Sequence, residues 1–195
     1  RFSWRGDVHM TRLNLIGGFQ AENILLACGL AIACGDDAGA VFDCLPNLTT
    51  VRGRMQLAVT RANGASVFVD YSHTPDAVAT ALQALRPHVM GRLVAIVGAG
   101  GDRDPTKRIL MGQAAQTHAD VVFVTDDNPR SENPADIRRQ ILKGVQSGCE
   151  IHECDSRRDA IGLAVATARP GDVVLVLGKG HEATQEWSDG VIAFD

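Results

Sequence analysis

The stretch Val121-Val122-Phe123-Val124-Thr125-Asp126-Asp127-Asn128-Pro129-Arg130-Ser131-Glu132-Asn133-Pro134 changes character midway, from an unbroken apolar run to a polar loop punctuated by two prolines. The run has no polar alternation, so it predicts a parallel strand covered on both faces. Asp127, Asn128 and Pro129 are turn formers, and Pro129 cannot continue a ladder. Pro134 stands where a helix can start, in its first turn. Polar residues at the carboxyl end of a parallel strand lie where open α/β sheets bind ligands. A carboxylate, an amide and a guanidinium together suit a ligand with both an amine and a carboxylate. The plain alternative is a solvated strand-to-helix turn.

The same alternation extends outward from this stretch. Apolar runs recur at Ser66–Asp70, Leu93–Val97, 151–153 and Val173–Leu177, with candidate helices at 75–87, 104–118, 134–146 and 156–168. Strand–helix–strand at this spacing implies right-handed crossovers and a mostly parallel, Rossmann-like sheet with helices on both faces. A final short run, 191–194, reads as an edge strand or hairpin arm after Asp189-Gly190. Before Ser66 the pattern differs. Residues 1–15 read as strand fragments, and 21–33 is a helix rich in Ala and Leu that stops at Gly35. Asp36-Asp37 caps a shorter helix running through Cys44. Residues 46–50 read as a linker, which places a domain boundary between 1–50 and 51–195.

Composition excludes several classes. The chain has 195 residues, 45% hydrophobic, with a net charge of −4, so it has core enough for a globular fold and no basic footprint for nucleic acid. No apolar run reaches the length of a bilayer span, and no signal-peptide pattern precedes the first strand, so no membrane partner is expected. Five cysteines, Cys28, Cys34, Cys44, Cys149 and Cys154, form no C-x-x-C, and the six histidines show no metal-ligand spacing. Reduced, mostly buried cysteines in a cytoplasmic protein, with no metal site, are the expectation.

In a parallel sheet the loops after each strand share one rim. Here they are Asp70-Tyr71-Ser72-His73-Thr74-Pro75-Asp76, Gly98-Ala99-Gly100-Gly101-Asp102-Arg103-Asp104, 126–132, and Gly178-Lys179-Gly180-His181-Glu182. Arg103, Arg130, Lys179, His181 and Glu182 are thereby expected together, a set that a purely structural sheet has little use for. Gly98-x-Gly100 is not a dinucleotide fingerprint, because Arg103 takes the third glycine position. No G-x-x-x-x-G-K-[ST] phosphate loop occurs in the chain. Lys107-Arg108 are expected on an exposed helix face. His73 and His181 are expected as hydrogen-bonding loop residues more than as general bases.

Taken together and in this order, the loops resemble the Mur ligase family. The matching residues are the Asp70–Asp76 loop, Gly100-Gly101-Asp102-Arg103-Asp104, Lys107-Arg108, Asp127-Asn128-Pro129-Arg130 and Gly178-Lys179-Gly180-His181-Glu182. Gly18-Phe19-Gln20 through Asn23 is similar to the family's G-x-F-N-x-x-N, with Gln20 for the first Asn. Val51-Arg52-Gly53-Arg54-Met55 is similar to its G-R-[MF]-E junction, with Gln56 for Glu. The resemblance covers residues from about Leu13 to Gln185.

The resemblance implies a three-domain, ATP-dependent ligase. Residues 1–50 would be the tail of its central ATP-binding domain and 51–195 its C-terminal domain. The UDP-binding domain, the phosphate loop, the Mg²⁺ ligands and a carbamoylated lysine would lie outside this chain, a fragment inactive alone, with no catalytic residue assigned in it. By the same resemblance, Arg103, Asp127, Asn128, Pro129, Arg130, Gly178 and Glu182 hold meso-diaminopimelate, Asp127 by shaping the loop. Asn23 faces the adenine of ATP, and Arg54, Asp70 and His73 face its ribose and phosphates. The other partner implied is the UDP-linked muramoyl dipeptide. Lysine-adding or folylpolyglutamate synthase-like relatives are alternatives, and Asp127-Asn128-Pro129-Arg130 argues against both, because a lysine side chain offers Arg130 no distal carboxylate. A non-catalytic nucleotide-binding module is the alternative from another class.

Overall fold

The computed structural model describes residues 1–145 and 148–194, and the backbone divides into two compact units, Arg1–Thr50 and Val51–Asp195. In the first unit, β1 (Phe2–Trp4) and β2 (Asp7–His9) form an antiparallel hairpin. Its turn places Arg5 and Gly6 at positive φ, the twist that suits a two-residue hairpin loop. Phe2, Trp4 and His9 gather their rings around Phe42. Helix α1 (Phe19–Ala33) begins two residues before its expected start. Its Leu25, Leu26 and Leu30 are exposed. Helix α2 (Ala38–Asp43) is capped by Asp37, whose Oδ1 accepts the Ala40 N–H at 3.0 Å. The expected linker begins with a 3-10 turn, Leu45–Asn47, since Pro46 fits the first turn of such a helix.

The second unit is built on a six-stranded sheet in the order β3-β4-β8-β5-β6-β7. The strands are β3 (Gln56–Thr60), β4 (Ser66–Asp70), β5 (Leu93–Val97), β6 (Val121–Thr125), β7 (Glu150–Cys154) and β8 (Val173–Leu177). All neighbours are parallel except β3, which pairs antiparallel with β4. Strands β5, β6 and β8 are buried along their whole length, as unbroken apolar runs require. Strand β3 was not expected. It is an edge strand with four of its five residues exposed, so no buried face marks it in the sequence.

The crossovers are α3 (Pro75–Leu85), α4 (Thr106–His118), α5 (Pro134–Leu142) and α6 (Arg157–Thr167). Three have side-chain caps just before them: Thr74, Asn133 and Ser156 accept N–H groups of their helices, and Pro75 and Pro134 take the first turns where no N–H is needed. Helix α6 lies on one face of the sheet, with Ala160 and Ala164 against Val94, Ile96, Val174 and Val176. Helices α3, α4 and α5 pack side by side, with α4 and α5 against β5 and β6. The expected helix 134–146 ends at Leu142; Gln146 lies outside the described residues. After β8 the chain forms the hairpin β9 (Thr184–Trp187) and β10 (Gly190–Ala193), where one short arm was expected.

Two backbones meet without a side chain between them. Gly53 is left-handed at φ +69°, and a Cβ added there would lie 2.2 Å from the carbonyl carbon of Gly180. The Gly53 carbonyl accepts the Tyr71 N–H at 2.9 Å. The Gln56 side-chain oxygen accepts the Gly53 N–H at 2.8 Å. Among the described residues no helix is long and apolar enough to cross a membrane. One cysteine, Cys28, is buried; Cys34 and Cys44 are exposed and Cys149 and Cys154 half-buried, all five free, against the expectation of mostly buried thiols. Each of the exposed pair caps the carboxyl end of a helix, Cys34 after α1 and Cys44 after α2.

Candidate functional site

The carboxyl ends of β4, β5, β6 and β8 open on one polar pocket of about 150 Å³. Tyr71 and His73 come from the first loop, Gly98, Ala99, Gly100 and Arg103 from the second, Asp127, Asn128 and Arg130 from the third, and Gly178 and Glu182 from the last. Lys107, on α4, adds a further positive charge. The structure thus brings together Arg103, Asp127, Asn128, Arg130, Gly178 and Glu182. Pro129 does not line the pocket; its carbonyl accepts the Glu132 N–H at 3.1 Å.

The second and third loops are joined by polar contacts. Gly101 N–H donates to the Asn128 carbonyl at 2.8 Å, and Asp102 N–H to Glu132 at 2.6 Å. Ser131 Oγ lies 2.5 Å from Asp102. Arg108 is the anchor beneath them. Far from lining an exposed face, it is wholly buried and donates to both Glu132 oxygens at 2.8 Å, to Gln140 at 3.0 Å and to the Gly100 carbonyl at 3.1 Å. These bonds hold the Glu132 carboxyl below the usual range for such a group. A buried guanidinium needs such partners, because an unpaired buried charge is costly.

Arg130 sits in the left-handed region at φ 53°. Its Nε donates to Glu186 at 2.6 Å and its NH1 to the Gly101 carbonyl at 2.9 Å. These bonds use Nε and one proton of NH1 and leave NH2 for a ligand. The Asn128 side-chain oxygen accepts from Lys179 Nζ at 2.6 Å and from the Glu186 N–H at 3.0 Å, so its NH₂ is what it can offer.

Behind the wall lies a buried charge cluster. Lys179 was expected on the rim, but it is 3% exposed and also donates to the Thr184 carbonyl at 2.8 Å. Asp127 lies between Lys179 at 3.7 Å and Arg157 at 3.9 Å. Burial pushes the Lys179 ammonium down, opposed by Asp127. Gly178, at φ +98°, leaves room for Asp127: an added Cβ would stand 2.6 Å from its Oδ2. Glu182 lines the pocket and feels the charges of Arg157 and Lys179, and its Oε2 is buried with no hydrogen-bond partner. A buried carboxylate oxygen without a partner is costly unless a donor or cation meets it.

The residues expected at a nucleotide divide. Arg54 lies over the Tyr71 ring at 4.7 Å, with His73 at 4.8 Å and His181 at 5.5 Å from that ring. Arg54, His73 and His181 are exposed, a cationic and aromatic rim that suits phosphate. His73 Nδ1 donates to the Tyr71 carbonyl at 2.8 Å, which leaves Nε2 outward. Asp70, expected with them at the ribose and phosphates, has partners within the protein. It is buried, with one oxygen accepting the Met55 N–H at 2.7 Å and the other held by Ser72. It pins the turn that carries Tyr71 and His73. Asn23 is an exposed residue early in α1, in the first unit. No group of three His, Cys, Asp or Glu side chains among the described residues stands close enough to hold a metal ion.

Sequence reasoning missed Glu186 and Gln185. Gln185 is buried and its side chain donates to the Asp127 carbonyl at 2.5 Å. Neither lies in a recognisable motif; their role depends on β9 folding back over the third loop.

A family model described as Mur ligase, glutamate ligase domain matches residues 53–180. The chain is 49% identical over 190 residues to a UDP-N-acetylmuramoyl-L-alanyl-D-glutamate–2,6-diaminopimelate ligase of Caulobacter vibrioides, covering 97% of this chain and 38% of that protein. It is 48% identical over 183 residues to the ligase of the same name from Zymomonas mobilis, covering 94% and 37%. A solved structure of a ligase with this name aligns with TM-score 0.73 at 42% identity, covering 94% of this chain and 38% of that one. A pseudomurein peptide ligase from Methanothermus fervidus shares the fold, with TM-score 0.71 at 20% identity over 91% of this chain and 36% of that one. The chain therefore spans under two-fifths of the length of these relatives.

Proposed function

The chain belongs to the Mur ligase family, and we propose that it forms the amino-acid-binding, nucleotide-closing part of an ATP-dependent ligase joining meso-diaminopimelate to UDP-N-acetylmuramoyl-L-alanyl-D-glutamate. The observation that carries this reading is the pocket wall itself. Arg103, Arg130 and the carboxylate residue Glu182 line one small polar pocket. That combination accepts one end of an amino acid, carboxylate to arginine and ammonium to glutamate. Diaminopimelate carries such an end beyond its reacting amine, and lysine does not.

The reaction forms an amide from a carboxylate made reactive as an acyl phosphate. ATP supplies the phosphoryl group, and ADP leaves. The diaminopimelate amine then attacks the acyl carbon, the amide C–N bond forms, the C–O bond to phosphate breaks, and inorganic phosphate is released. The task of this chain is positioning: a rigidly held distal end presents the amine in line with the acyl carbon. The Arg54–Tyr71–His73 rim fits the nucleotide, and the Arg54 guanidinium would face phosphate oxygens. The described residues offer Mg²⁺ no ligand set. Bound elsewhere with ATP, it would neutralise phosphate charge. This reading places the protein in the cytoplasm, where its nucleotide substrates are.

The test is a substrate profile of the full-length ligase carrying this segment. Phosphate release in the presence of ATP and the UDP-linked dipeptide should depend on meso-diaminopimelate and be far weaker with L-lysine. Equal use of both amino acids, or preference for lysine, would sink the assignment.

A further inference from the structure

Glu186 has no part in holding the amino acid in the reading above, yet its carboxylate touches the arginine that would. We propose that Glu186 is a positioning residue that fixes the plane of the Arg130 guanidinium and so sets the preference for an amino acid with a distal carboxylate. The proposal rests on the ligand role assigned to Arg130.

Three observations converge on it. First, Arg130 needs to be held. It is a non-glycine residue at φ 53°, a sparsely populated conformation that persists where the surroundings impose it. Second, Glu186 issues from a fixed point. Its carbonyl accepts the Arg130 N–H at 3.2 Å, its own N–H donates to the Asn128 side chain at 3.0 Å, and Arg130 forms a parallel bridge with Trp187. The β9 backbone is thus laid along the loop, and the Glu186 side chain is presented to Arg130 from a strand. Third, the contact is directional. Glu186 takes Nε at 2.6 Å while the Gly101 carbonyl takes NH1 at 2.9 Å. Two acceptors, one on β9 and one on the second loop, determine the plane of a flat cation, and NH2 takes part in neither bond.

Exposure argues against a role in stability. The Arg130 and Glu186 side chains are 23% and 45% exposed, and pairs this wet contribute little to folding. What the pair does supply is orientation. A guanidinium free to rotate about its last torsions would give up the two-pronged geometry that separates a carboxylate from other anions.

The alternative is that Glu186 competes with the ligand for Arg130, and the two ideas predict opposite signs. In the full-length ligase, Glu186→Ala should raise the KM for meso-diaminopimelate about fivefold to tenfold. The kcat and the KM for ATP should be unchanged, and the urea midpoint should not move. Glu186→Gln keeps an acceptor for Nε and should restore most of the loss. In an Arg130→Ala background, Glu186→Ala should add no further effect. The kcat/KM ratio of diaminopimelate over lysine should fall with Glu186→Ala. An unchanged or lowered KM, or full additivity with Arg130→Ala, overturns the proposal. If Arg130→Ala itself leaves the KM for diaminopimelate untouched, the ligand role of Arg130 is what fails.

Discussion

Both carboxylate oxygens of Glu132 lie 2.8 Å from the guanidinium of Arg108, a side chain with no exposed surface. Removing the carboxylate leaves a buried cation with only neutral acceptors. Glu132→Ala should therefore destabilise the second unit by about 2 kcal/mol, less than for a wholly buried pair because Glu132 is a third exposed. Glu132→Gln, which keeps one acceptor, should lose less. Urea unfolding measures both, and a Glu132→Ala midpoint equal to wild type would show that the pair does not hold the loops together.

Arg130→Ala in the full-length ligase should raise the KM for meso-diaminopimelate about tenfold to a hundredfold. A hydrogen bond to a charged group is worth roughly 1.5–3 kcal/mol, at about 1.4 kcal/mol per decade. The KM for ATP should barely move, and lysine should lose little. Arg130→Lys keeps the charge without the planar fork and should still weaken binding. Equal damage to the ATP and diaminopimelate constants would instead mark Arg130 as a structural part of its loop.

Asp172 gives the second unit an acid-sensitive clasp. Burial works against its ionised form, but the Arg169 and Arg92 backbone N–H groups and the Arg92 guanidinium prevail, and its carboxyl lies below its ordinary value. A group whose folded pKa is depressed stabilises the fold above its unfolded pKa, about 3.9 for Asp, and loses that contribution as pH falls through the folded value. Urea midpoints should therefore drop as pH falls below roughly 4. Asp172→Asn should start from a lower midpoint at neutral pH and show a shallower fall. A wild-type slope retained in that variant would assign the acid sensitivity to other carboxylates.

Amide exchange should be faster in α1 than in β5 and β6. The helix exposes Leu25, Leu26 and Leu30, whereas both strands are buried throughout. Equal protection in helix and strands would contradict this.

The 195-residue chain alone should release no phosphate above background from ATP, diaminopimelate and the UDP-linked dipeptide. It contains no glycine-rich phosphate loop of the Walker type to hold the ATP phosphates. Turnover by the purified chain would refute this.

The sequence carried the fold wherever burial was two-sided. The bounds of β5, β6 and β8 match the apolar runs residue for residue, because a strand covered on both faces needs an unbroken run. Strand β3 escaped notice for the converse reason, as an edge with little to bury. The rim was legible because parallel strands put their loops at one end. Its supports were not. Arg108 looked like a surface cation because its partner Glu132 is 24 residues away in sequence, and Lys179 looked like a rim residue because Asn128 and Thr184 reach it only through the fold. Glu186 lay beyond the last recognisable motif, in a hairpin whose register the sequence did not reveal.

The bare backbone contact between Gly53 and Gly180 brings two loops together. No side chain separates the Val51–Met55 turn from Gly180, and Glu182 is two residues further along the same loop. Tyr71 is tied to the Gly53 carbonyl. The entrance turn of the second unit therefore abuts both the loop that carries Glu182 and the aromatic rim beside it.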